Sequence, residues 1–344
     1  MKSSNIGGQA VMEGIMMRHD DIYSIAVRKQ DQEIAVKVEP YKSVINAPAL
    51  QKVPIVRGVV NFIDSLVVGI RCLMYSASFF VEEEEQEKEK ELTEEEKQEL
   101  EAKRKKEEKG IMVGSLIFSL VIAVAVFMLL PYFLVNFLRG YIAEEWLLNL
   151  IESLVRIAIF LGYLILISRM KDIQRTFMYH GAEHKCINCI EHGMELNVDN
   201  VLKSSRLHKR CGTSFLFFVI IVSAILLMLV QAPNHALRII IRLALIPVVA
   251  GVSYEFIRLA GRSDSRVVNA LSKPGLALQR LTTREPDASQ AEVAIAAVEA
   301  VFDWREYLTE NFGCEFADRD AVCGSSVPDD SAPDGRETPP GKDV

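Results

Sequence analysis

The chain lacks the surplus of basic charge that a nucleic-acid binder needs. Its 344 residues carry 39 Lys and Arg against 46 Asp and Glu, a formal charge of −7, and no Lys/Arg cluster stands beside aromatic platforms. It is also poor in cysteine, with six, too few and too scattered for a disulfide scaffold. Met1, Lys2, Ser3 and Ser4 open no apolar signal core, so the polar segments belong to a reducing cytosol. No Gly-Lys-Ser/Thr follows Gly7 and Gly8, which removes a phosphate-cradling loop and leaves those glycines as turn formers. Half of all residues are apolar and they fall in long blocks, which excludes a collagenous or wholly disordered chain.

What is present instead is a set of uncharged runs. No charged residue occurs between Lys109 and Arg139, or between Arg210 and Arg238, and each interval exceeds the roughly 20 residues that a bilayer requires. With the neighbouring apolar stretches they predict four transmembrane helices over 110–138, 146–168, 215–233 and 236–260. The expected class is therefore an α-helical polytopic membrane protein in contact with the lipid bilayer. Glu152 and Arg156 lie four apart in the second span, share a face and can pair, which lowers the cost of carrying either into lipid. Basic residues gather before the first span, in the 169–214 loop and after the fourth span. The positive-inside rule then puts both termini and that loop in the cytosol of a multi-pass protein of the inner membrane. Arg238 and Arg242 dissent mildly. Ile55 to Phe80 is apolar too, yet Arg57, Asp64 and Arg71 recur every seventh residue on one helix face. That pattern suits an interfacial or re-entrant amphipathic helix better than a fifth span.

The remaining segments are soluble. Tyr23–Lys29 and Glu33–Glu39 alternate apolar with polar residues about a turn, predicting a β-hairpin in a cytosolic unit over 1–54. Residues 82–109 are a Glu/Lys-rich insert without an apolar stripe. A cytosolic helical segment follows over 261–312, with an amphipathic helix within Ala291–Tyr307, and then an acidic, disordered tail over 313–344 that includes Cys314 and Cys323. Cys72 reads as packing.

Chemistry concentrates in the 169–214 loop, which holds His180, His184, Cys186, Cys189, His192, His208 and Cys211. Three readings fit. In the first, His180-Gly181-Ala182-Glu183-His184 is an inverted zinc-peptidase pattern, with two histidines one helical turn apart gripping a metal and Glu183 as general base. His208 or Cys211 then folds back as the third ligand, since Glu191 lies about 10 Å further along the same helix. In the second, Cys186, Cys189, His208 and Cys211 form a closed structural site of the ribbon kind. In the third, the histidines hydrogen-bond to one another and to Glu195, Asp199 and Arg206 without metal.

Three stretches carry a resemblance: Gly7-Gly8-Gln9-Ala10-Val11-Met12-Glu13-Gly14-Ile15-Met16-Met17-Arg18, Tyr179 to Lys185, and Ser205 to Ser214. Together they resemble the YqhQ-like family of bacterial membrane proteins, a family of unknown function described as predicted metal-dependent enzymes. The resemblance runs from about residue 5 to about residue 310, leaving out the insert and the tail. It implies roles for His180, Glu183, His184, His208 and Cys211, and it extends to Cys189. The chain departs from the family at Cys186, where threonine is common, and at Lys209, where proline is common, and the first departure weakens the ribbon reading. Mixed nitrogen and thiolate donors favour Zn²⁺ over magnesium or calcium. The expectation is a cytosolic-face zinc site in a hydrolase of the membrane surface. Its rival is a non-catalytic adaptor whose closed metal site shapes a docking surface for another membrane complex. Transport fits less well, because the spans show no repeat and carry few unpaired ionisable groups. Gly110-x3-Gly114 lies too near the boundary to specify a dimer.

Overall fold

The alternating pattern of residues 23–39 becomes two strands of a larger sheet. The computed structural model describes residues 2–45, 48–80, 110–111, 113–229, 234–260, 265–317 and 320–322; the 82–109 insert and the tail beyond 322 lie outside them. β1 (Gly7–Val11), β2 (Gly14–His19), β3 (Ile22–Arg28) and β4 (Ile34–Pro40) form an antiparallel meander in that order. The expected hairpin is β3–β4, in register from Ile22 opposite Pro40 to Arg28 opposite Ile34. β2 escapes an alternation test because it is covered on both faces, so its Ile15, Met16 and Met17 read as a continuous apolar run; β1 opens on two glycines and offers no pattern to read. α2 (Val56–Ala77) covers one face, with Val68 and Cys72 against Val11, Met16, Tyr23, Ile25 and Val27. Ile15, Met17 and Ala26 on the other face meet Tyr179, Ala182 and Ile187 of α5 (Lys171–Glu191) and Ala291 and Ala294 of α10 (Ala288–Glu299). α1 (Pro48–Lys52) links sheet and α2.

Most described residues are helical. Among the described residues, four segments are long and apolar enough to cross a membrane: Val56–Phe80, which contains α2, then α3 (Val113–Asn136), α4 (Glu145–Ile167) and Ala236–Ala260 in α8 (His235–Ala260). α7 (Gly212–Met228) is apolar but has 17 residues, about 25 Å at 1.5 Å per residue, short of a ~30 Å hydrocarbon core. Three of the four expected spans thus stand where the hydropathy put them. The third is shorter than expected, and α2 qualifies by length and composition.

The contacts of α2 describe its course. Its first turns pack on the last turns of α8, where an added Cβ on Gly58 would come within 2.8 Å of Tyr254 and one on Gly251 would collide with Ile55. Arg57 pairs there with Glu255. Phe62 lies 5.5 Å, centroid to centroid, from Phe215 in the first turn of α7. Beyond that, Asp64 is buried and accepts hydrogen bonds from Tyr41 Oη at 2.9 Å and the Val44 amide at 2.8 Å, and the helix continues onto the sheet.

Inside the apolar bundle, Glu152 and Arg156 make the expected pair at 2.7 Å. Arg242 joins them, its two terminal nitrogens 2.6 and 2.7 Å from the two Glu152 oxygens and its guanidinium 4.5 Å from the Tyr132 ring centre. This partner explains why a loop-charge rule finds Arg242 out of place. α3 carries a π-helical turn, Ala125–Leu129, just before Pro131. Proline has no N–H to give the carbonyl four residues back; that carbonyl is Phe127, and Arg156 Nε donates to it at 3.0 Å.

Two soluble expectations change. The single helix within 291–307 is split into α10 and α11 (Trp304–Phe312), because the Asp303 side chain accepts from the amides of Arg305 and Glu306 and caps a new helix. The start of the tail is ordered: Cys314 is buried and Phe316, in β5 (Glu315–Ala317), meets Trp304 edge-on at 5.4 Å. β5 pairs with β6 (Asp320–Val322).

Candidate metal centre

α5 puts His180, Glu183 and His184 on one face, as their spacing requires. Gly181 is dictated from outside the helix, since an added Cβ would collide with the Arg284 carbonyl where the chain between α9 (Arg266–Thr282) and α10 crosses α5. Three side chains of α5 then clamp the loop that follows α6 (Val198–Lys203). Lys185 Nζ donates to the carbonyls of Leu202 and Ser204, each at 2.8 Å. Asn188 Nδ2 donates to those of Ser205 at 2.7 Å and Leu207 at 2.9 Å. His184 Nδ1 donates to that of Arg206 at 2.7 Å. Gln279 of α9 fixes the next residue, accepting from the His208 amide at 2.9 Å and donating to the His208 carbonyl at 2.7 Å and to Ser214 Oγ at 2.9 Å.

The clamped loop delivers Cys211 as the N-cap of α7, where its sulfur accepts from the Thr213 amide at 3.3 Å. His180 Nε2 lies 3.2 Å from that sulfur, and His180 Nδ1 donates to the Thr282 carbonyl at 2.8 Å. His180, His184 and Cys211 each offer a donor atom, all within 4.8 Å of one another. This is the metal-competent group of three or more such side chains among the described residues. Both imidazoles are tied at Nδ1 to a backbone carbonyl, which fixes the tautomer and leaves Nε2 as the metal-facing atom. Burial pushes the Cys211 thiol up, but the adjoining His180 and His184 outweigh it and hold the thiol well below its ordinary range. Burial lowers His180, and Cys211 reverses that, lifting the imidazole to about 9. A thiolate beside a protonated imidazole is a site where a metal cation can take the place of the proton.

Glu183 stands outside that group of three but feels the charge of all of its members. It is 5 % exposed, burial raises its carboxyl above the usual range, and its Oε2 has no hydrogen-bond partner. β1 lies against it, for an added Cβ on Gly8 would sit 2.9 Å from Glu183 Cδ. A buried carboxylate oxygen without a partner, beside two nitrogens and a thiolate, fits a metal with a water on it. Two imidazole nitrogens and a thiolate are a donor set that could hold a transition-metal ion.

The other sequence candidates stand elsewhere. His208 Nε2 is 3.3 Å from Glu191 Oε2, and its ring centre is 5.9 Å from that of His184. Fully buried Glu191 also accepts from Ser4 N at 2.8 Å, Ser4 Oγ at 2.9 Å and Arg210. Cys189 donates to the Glu195 carbonyl at 3.3 Å and Cys186 is buried in the core, so the paired knuckles of a ribbon are not assembled. His192 Nδ1 bonds the Asn188 carbonyl at 2.7 Å, within α5. Of the metal-free partners, Arg206 reaches His184 through its backbone. The sequence did not reveal Gly8, Lys185, Asn188, Gln279 or Thr282 as parts of the site. Gly8 had a signal, because its motif is one of the three that resemble a family, and Glu13 of that motif pairs with Arg175 and accepts from Tyr179 Oη at 3.1 Å, both on α5.

No solved structure matches the chain. A family model described as "Protein of unknown function (DUF1385)" matches residues 53–304. The chain is also 38% identical over 290 residues to "Uncharacterized protein YqhQ" of Bacillus subtilis (strain 168), which covers 84% of this chain and 89% of that protein. The three motifs therefore meet at one site in a chain that belongs to the YqhQ-like, DUF1385 family, whose function is unknown.

Proposed function

We propose that the protein is a multi-pass inner-membrane protein, both termini in the cytosol, whose cytosolic face carries a zinc-dependent hydrolase site. The observation that carries this reading is the partnerless Glu183 Oε2, within electrostatic reach of the group His180, His184 and Cys211. His180, His184 and Cys211 would hold the zinc, which would supply Lewis acidity and make water a nucleophile at neutral pH. Glu183 Oε2 would act as the general base, taking a proton from the attacking water and returning it to the leaving group. The carbonyls of Thr282 and Arg206 hold the imidazoles in place, and half-buried His180 marks the side on which substrate enters. Glu191 holds His208 behind His184 as a positioning group. The orientation is supported by the ends of α4 and α8 and the start of α7, which gather with the sheet and the His/Cys cluster; Arg284 beside Gly181, for example, also reaches the Ser168 carbonyl at the end of α4 at 3.0 Å.

A second reading, the adaptor with a closed structural metal, is favoured by the near-complete burial of His184 and Cys211, 1 % and 5 % exposed. Glu183→Gln separates the two. Under the hydrolase reading the variant keeps about one zinc and the fold but fails to complement a strain lacking the gene, while Cys186→Thr does both. Full complementation by Glu183→Gln leaves the adaptor reading. Protein purified folded and metal-free without chelator removes both.

A further inference from the structure

α9 is counted by its sequence among the cytosolic segments, but its contacts lay it across the base of the apolar bundle. Gly275 would meet Ser214 Oγ at 3.0 Å with an added Cβ, and Thr282 Oγ1 lies 3.0 Å from Thr213 Oγ1. These two α9 residues are seven apart, about 10 Å along the axis at 1.5 Å per residue, yet both touch the first turn of α7. α9 therefore crosses α7 rather than running beside it, at the level where the apolar helices begin. Its buried face is Val268, Ser272, Gly275, Leu278, Gln279 and Thr282, and Leu278 reaches Phe160 and Leu164 of α4.

The opposite face has two edges. One is apolar and uncovered, with Val267 68 % and Leu271 47 % exposed and Pro274 and Ala277 exposed with them. The other is basic: Arg266, Lys273 and Arg280 recur every seventh residue, which puts them in one row. All three are exposed, and none has an acidic partner among the described residues. No Asp or Glu occurs from Arg266 to Arg284, in a chain whose net charge is −7. An in-plane helix with an apolar edge beside a row of cations is built for the boundary between acyl chains and anionic headgroups.

We propose that α9 docks on the anionic lipid surface of the membrane, with Val267 and Leu271 in the acyl region and Arg266, Lys273 and Arg280 on lipid phosphates. The proposal rests on the reading of α3, α4 and α8 as membrane spans, not on the hydrolase chemistry. It has a consequence for the site, because the inner face of the same helix supplies the Thr282 carbonyl to His180 and the Gln279 amide to His208. The helix that touches lipid is thus the helix that positions the ligands.

Nitroxide labels on Leu271→Cys and Phe118→Cys test it in the full chain, reconstituted in nanodiscs of phosphatidylcholine with or without phosphatidylglycerol. Among the described residues the four free cysteines are buried, and Phe118, 68 % exposed on α3, reports on the spans themselves. Oxygen, which concentrates in lipid, should relax both labels more than an aqueous nickel chelate does. Phosphatidylglycerol retained by the unlabelled protein should weaken about fivefold for each charge removed in Arg266→Gln, Lys273→Gln and Arg280→Gln. A label at 271 reached by the nickel chelate, or by neither reagent as under a second protein, overturns the proposal if Phe118→Cys reads as lipid. If Phe118→Cys also reads as aqueous, the membrane reading fails first and the proposal falls with it. Equal retention of phosphatidylglycerol and phosphatidylcholine by wild type and triple variant overturns the headgroup contact.

Discussion

Two of the polar clusters that the described residues bury are opposites. The one at the base of the bundle, His180, His184, Cys211 and Glu183, has a spare acceptor in Glu183 Oε2; the one within the bundle, Glu152, Arg156 and Arg242, has spare donors in Arg156 Nη1 and Arg242 Nε. The first is held by two backbone carbonyls from separate segments, those of Thr282 and Arg206, whereas the second is held by its own ion pairs and one carbonyl released by a proline. A cluster with an unused acceptor among metal donors invites a cation. A cluster of two cations on one carboxylate is held by attraction and fails when the carboxylate is removed.

The comparison predicts the largest effect in the bundle. Glu152→Gln leaves two buried guanidinium groups without a counter-charge and should cost about 3–5 kcal/mol, read as a fall in thermal unfolding temperature in detergent while bound zinc per folded molecule stays unchanged. The double variant with Arg242→Met should recover part of that loss. Equal stability of wild type and Glu152→Gln would show that the pairing contributes nothing.

At the base of the bundle the order reverses, with metal lost before fold. His184→Ala or Cys211→Ser should abolish stoichiometric zinc, and a chelator should then lower the unfolding temperature of the wild type but not of either variant. Cobalt substitution sharpens this, because the thiolate-to-metal absorption band should vanish in Cys211→Ser and survive in Cys189→Ser. The supports come next. Asn188→Leu and Gln279→Leu touch no ligand atom, but each frees part of the 202–208 loop and should weaken zinc binding about 10–100-fold, measured by competition with a chromophoric chelator. The smallest effect is at Pro131→Ala. It restores an N–H that competes with Arg156 for the Phe127 carbonyl, and stability should change by less than about 1.5 kcal/mol.

These residues also mark what could be read from the chain alone. The His-x-x-Glu-His spacing was legible because a helix imposes its geometry locally. The choice among Cys211, His208 and Cys189 was not, since it depends on how residues 202–208 are folded back by Lys185 and Asn188 and pinned by Gln279, 71 positions beyond His208. Alternation exposed β3 and β4 but hid β2, whose Ile15, Met16 and Met17 are buried on both faces. Hydropathy found α3, α4 and α8 and could not tell that α2 would find protein along its length. Arg242 looked like a topological exception until Glu152 was seen beside it.

The two-sided cover of the sheet also sets an order of events in synthesis. One face is closed by α2, within the first 77 residues of the chain, but the other waits for α5 and α10, after α3 and α4 and then α7 and α8 have been made. Until then Ile15, Met17 and Ala26 have no permanent cover. The second face of the N-terminal sheet therefore closes late in synthesis, and Thr282 and Gln279, which hold His180 and His208, are made only with α9, after all three donor side chains.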